Sequence, residues 1–78
     1  MAKFNGHKNW NHWNVSLWIN NDEGLHRMAQ NFIARYPRVG RQKQAQLMLS
    51  RLKDEGITHT PDGAPYSVSS IKAAMRGM

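Results

Sequence analysis

His7, His12, His26 and His59, the carboxylates Asp22, Glu23, Asp54, Glu55 and Asp62, and the serines Ser67, Ser69 and Ser70 are the side chains best suited to acid–base, metal or nucleophilic chemistry in this chain. None falls in a pattern that such chemistry needs. Two metal-binding histidines on one helical face stand four residues apart, whereas His7 and His12 stand five apart with no carboxylate nearby to complete a set. The acids occupy structural positions: Asp22 and Glu23 at a helix start, Asp54 and Glu55 at a helix end, Asp62 in a Pro-Asp-Gly turn. No Gly-x-Ser-x-Gly elbow surrounds the serines, and the glycines stand singly rather than in a phosphate loop. The expectation is a binding protein rather than an enzyme, with no catalytic residue, no metal site and no cofactor.

The chemistry that remains is charge. Lysine and arginine number 11 against 5 acids, for a net charge of +6, which favours an acidic partner such as nucleic acid, an acidic protein surface or anionic lipid. From Pro37 onward the bases are Arg38, Arg41, Lys43, Arg51, Lys53, Lys72 and Arg76, and the acids only Asp54, Glu55 and Asp62. Lys3, Lys8, Arg38, Arg41, Lys43, Arg51, Lys72 and Arg76 are the candidate partner-binding residues. The same charges also serve a plainer purpose, the solvation of exposed helix faces.

These residues need elements to position them. A chain of 78 residues without cysteine is expected to form a single domain, 1–78, around one core that no disulfide or thiolate metal site supports. Residues 1–9 read as a polar N-terminal arm. Trp10, Trp13, Leu17 and Trp18, widened by Val15 and Ile19, fall on one stripe of a first helix from about Asn11, with the tryptophans as expected core anchors. Asn20 and Glu23 have the spacing of a capping box for a second helix, in which Leu25, Met28, Ala29, Phe32, Ile33 and Tyr36 recur at amphipathic spacing until Pro37 ends it. A third helix is expected over about Arg41 to Glu55, with Ala45, Met48, Leu49 and Leu52 inward, Arg41, Lys43 and Arg51 outward among glutamines, and Gly56 as its stop. Thr58-His59-Thr60 and Pro61-Asp62-Gly63 suggest a short hairpin, and Ser67 caps a last helix with Val68, Ile71, Ala74 and Met75 inward and Lys72 and Arg76 outward. The fold class is mainly α: a small bundle of about four helices with a short C-terminal β-hairpin and a helix-turn-helix-like C-terminal half.

Two resemblances bear on function. The segment from Asp54 to Lys72 resembles the helix-turn-helix linkers of large serine recombinases, an arrangement that implies a helix N-terminus in a DNA major groove. Ser69, Ser70 and Lys72 are thin equipment for base readout, which favours Arg, Asn and Gln. Trp10 to Glu23 contains Trp-x-x-Trp-Asn-Val-x-Leu-Trp-Ile-x-Asn-Asp-Glu, which resembles a signature of short bacteriophage proteins. The chain is also similar, in length and basic character, to the small early transcription regulator type of a lytic Xanthomonas phage. That second likeness implies binding to host RNA polymerase, displacement of sigma at initiation, and antitermination.

The leading expectation is therefore a phage-encoded transcription regulator that binds host RNA polymerase through its basic surface as a monomer in the host cytoplasm, with nucleic-acid contact inside the complex. The alternatives are a small helix-turn-helix DNA-binding repressor and a phage inhibitor of a bacterial defence complex. No apolar run approaches the roughly 20 residues of a membrane span, so no membrane partner is expected.

Overall fold

Asn9 opens the first helix: its side chain accepts a hydrogen bond from the His12 amide at 3.0 Å, satisfying one of the donors that a helix start leaves without a partner. In a computed structural model that describes residues 7–76 and residue 78, this helix, α1, is Trp10–Asn21. It is followed by α2 (Glu23–Arg35), α3 (Gly40–Asp54) and α4 (Val68–Ala74). Lys3 and most of the expected arm lie outside the described residues. The bundle closes as a ring in which α1 packs on α2 and α4, and α3 packs on the same two helices. Its radius of gyration, 11.6 Å, is that of a compact chain of this length.

The helix boundaries follow from local chemistry. Asn20 and Asn21 donate their side-chain amides to the carbonyls of Ser16 and Leu17, both at 2.8 Å, and so continue α1 instead of capping α2. The cap is Asp22, not Asn20 as the spacing suggests. Its amide donates to the Trp18 carbonyl while its carboxylate accepts from the Leu25 amide at 3.0 Å, so one residue ends α1 and begins α2. Glu23 pairs with Arg27 at 2.6 Å.

Helix α2 ends at Tyr36 ahead of Pro37. Gly56, at φ 76°, stops α3: its amide donates to the Lys53 carbonyl, and the Ile57 amide reaches back to Leu52.

The core consists of Val15, Ile19, Ala29, Ala45, Met48, Leu52, Ala64, Tyr66, Ile71, Ala74 and Met75, with Leu25, Met28, Phe32 and Ile33 packed against it. The tryptophans are not its anchors. Helix α1 turns Asn14, Val15 and Ile19 inward, leaving Trp10 40% exposed, Leu17 39% exposed, and Trp13 and Trp18 half-buried. Apolar side chains lie all round this helix, so its period does not fix which stripe is buried.

The expected hairpin is reduced to one antiparallel bridge, His59 to Pro65. Pro61 and Pro65 lack the amide protons that a longer ladder would require. The Thr60 hydroxyl accepts from the Ala64 amide at 3.0 Å and thereby closes the turn. Asp62 at the tip accepts from both Asn14 Nδ2 and Trp18 Nε1 at 2.9 Å, tying the loop to α1.

Residues Glu55 to Ser67 join α3 to α4 by a path far longer than the three- or four-residue turn of a helix-turn-helix. Ser67 and Ser70 form a reciprocal capping box. Helix α4 lies between α1 and α3, with Ser70, Ile71, Ala73 and Ala74 buried.

Candidate functional site

Lys8 and His12 stand four residues apart on one side of the chain entering α1, while Ser69 and Lys72 lie along the outer side of α4 and Arg76 follows just past its end. Because α1 and α4 pack side by side, the two rows face a common depression. Arg41 and Gln42, from the first turn of α3, complete its wall, and Val68 and Ala73 lie along it as well. The groove has a volume of about 530 Å³. No carboxylate is among these lining residues.

Four of the expected partner-binding residues are thus brought together: Lys8, Arg41, Lys72 and Arg76. The others are not. Arg38 is exposed in the connection between α2 and α3, and Lys43 is exposed on α3, neither of them lining this groove. Arg51 lines a separate depression with Arg27 and Arg35, and its guanidinium is paired with Glu55. Arg41 is half-buried and held: it donates to Gln44 Oε1 at 2.9 Å and to the Met78 carbonyl at 3.0 Å. Gln44, which the sequence places among outward glutamines, is 1% exposed and donates to the Tyr36 carbonyl at 2.8 Å. It satisfies an acceptor at the end of α2, and in turn orients Arg41.

The residues that charge counting misses are His12 and Ser69. His12 Nε2 and Ser69 Oγ lie 3.0 Å apart and share a hydrogen bond across the α1–α4 seam. Desolvation holds the His12 imidazole below its ordinary pKa, and Lys8, His7 and Arg76 push it further down. These neighbours favour the neutral form of the ring. A serine and a neutral histidine at this distance resemble a nucleophile and its base, but no lining carboxylate orients the ring as in a triad. The arrangement is better matched to holding an anion: three exposed cations, one anchored guanidinium, a hydroxyl and an imidazole.

A second depression, about 490 Å³ in volume, lies between the start of α2 and the 57–66 loop, lined by Trp18, Leu25, Met28, Ile57 and Tyr66 with Asp22 and Glu55 at its edge. Among the described residues, no group of three or more His, Asp or Glu side chains converges as metal ligands would. No helix among them is long and apolar enough to cross a membrane.

The model of one family, described as a family of unknown function (DUF7249), matches residues 1–78. No curated protein and no solved structure matches the chain.

Proposed function

The chain belongs to DUF7249, and since that family's function is unknown its own surface must supply the reading; we propose that it is a non-catalytic transcription regulator of the small phage type that docks on host RNA polymerase through the cationic groove. The observation that carries this is the convergence of Lys8, Arg41, Lys72 and Arg76 on one depression without a lining carboxylate. Like charges gathered in one place repel in the free protein and become favourable only against a counter-charge, so the arrangement suits a partner more than it suits stability. The likeness in length and basic character to the small early transcription regulator type of a lytic Xanthomonas phage supplies the polymerase part of the reading. Docking at an anionic surface of the enzyme would act by occlusion, excluding sigma at initiation and favouring one conformation during elongation. The protein works as a monomer in the host cytoplasm.

A sequence-specific repressor is the second reading, favoured by Lys72 on the outer side of α4 and Arg76 just past its end. It is weakened by the burial of Ser70 and by the length of α4, 7 residues, most of which face the core. Titration of purified protein against host polymerase holoenzyme, with promoter-dependent transcription on unrelated promoters, tests the first reading. Inhibition independent of promoter sequence supports it. Absence of polymerase binding, together with one strongly preferred DNA site, favours the repressor.

A further inference from the structure

The groove has an unusual member for a surface that attracts anions by charge alone. His12 sits between two sources of positive charge: Lys8 on its own segment, and Arg76 beyond α4, with Arg41 and Lys72 lining the same depression. Its Nε2 is already engaged with Ser69 Oγ at 3.0 Å, so the ring is fixed toward the groove rather than free to turn into solvent. Among the described lining residues no acid opposes these charges. For an imidazole among these cations, an arriving anion favours the charged form that its neighbours disfavour.

The ligand chemistry follows from the donor set. Hydroxyl, imidazole, guanidinium and ammonium groups converging from separate elements match a tetrahedral oxyanion, whose oxygens point in several directions, better than a planar carboxylate. We propose that the groove is a phosphate site for a nucleic-acid strand, and that His12 completes it by taking up a proton as the phosphate enters. This rests on the groove being the docking surface, but not on polymerase being the protein that presents the nucleic acid.

The linkage has a definite sign. Neighbouring cations and desolvation hold the free imidazole low, and a bound phosphate raises it by adding an opposite charge at close range. Affinity is then greatest below the free-state value and falls as pH rises through the bound-state value, tenfold for each unit separating the two.

The test uses the full chain and a short oligothymidylate, with oligoglutamate as the carboxylate counterpart. Calorimetric titration near pH 6.5 in buffers of different ionisation enthalpy reads proton uptake, and the ring resonances of His12 read its charge directly in free and bound protein. The expected result is uptake approaching one proton per oligothymidylate, with an upward shift of the His12 midpoint on binding. His12→Gln should still bind, without uptake and with a flatter pH dependence. Lys8→Gln, at an exposed residue outside the helices, should raise the free-state midpoint and reduce uptake. Zero uptake by the parent chain, or an unmoved His12 midpoint, overturns the proposal. So does uptake that persists in His12→Gln, or an oligoglutamate complex as tight and as proton-linked as the oligothymidylate one. These assays contain no polymerase, so failure of the polymerase reading leaves their outcome standing, and the reverse.

Discussion

Thr60 donates its hydroxyl proton to Asn14 Oδ1 at 2.6 Å, a buried bond between residues 46 apart in sequence. Asn14 is 2% exposed and Thr60 4% exposed, so neither side chain has water to fall back on. Asn14→Leu leaves the Thr60 hydroxyl without its acceptor and releases Asp62 from one of its two donors. It should cost about 1–3 kcal/mol. Thermal melts of Asn14→Leu, Thr60→Val and the double variant check this: the double should lose less than the sum of the singles, because both act on one network.

Asp62 leads to a pH effect. Hydrogen bonds from Asn14 and Trp18 hold its carboxyl below the ordinary 3.8, with desolvation opposing more weakly. A carboxyl lowered on folding contributes stability that is full above its unfolded value and is lost as pH falls through the folded one. The melting temperature should therefore decline on acidification below about 3.8. Asp62→Asn should show a shallower decline over the same range, and a parallel one would remove Asp62 from the account.

The interior of α1 gives a ranking. Ile19 has 0% exposure, whereas Trp10 is 40% exposed. Ile19→Ala should cost about 2–5 kcal/mol through lost burial and the cavity left behind. Trp10→Ala should cost well under that despite removing a larger side chain, and denaturant titration separates the two. A reversed order would restore the tryptophans as core anchors.

The groove reading separates the cations. Lys72→Glu combined with Arg76→Glu should weaken binding to the polymerase complex and lower the salt dependence of that binding, with the helical circular dichroism unchanged, since both residues are exposed. Arg38→Glu combined with Lys43→Glu, an equal change of charge outside the groove, should do far less. Equal losses from the two variants would mean that net charge rather than the groove governs association.

Much of the fold could be read locally because its signals are local. The stripe of α2, the Gly56 stop and the Ser67 cap depend on residues within a turn or two of one another. What escaped depends on distant partners. Asn14 and Gln44 look like surface residues until Thr60 and the Tyr36 carbonyl are brought to them, and α1 offers two apolar stripes between which only packing decides. The same holds for the site. The pairings Lys8 with His12 and Lys72 with Arg76 stand at helical spacing in the sequence, but their meeting across one groove comes from α1 lying beside α4.

The single-residue junction at Asp22 has a consequence for how this chain tolerates change. With no slack between α1 and α2, the rotational phase of one helix is locked to that of the other. One residue inserted beside Asp22 and absorbed into α2 would turn that helix's stripe by about 100° relative to α1, taking Ala29 and Phe32 away from the core. The connection from Glu55 to Ser67 has length to spare. Insertions and deletions should therefore be accommodated there and rejected at Asp22, making the first helix pair the rigid frame on which the rest of the bundle is hung.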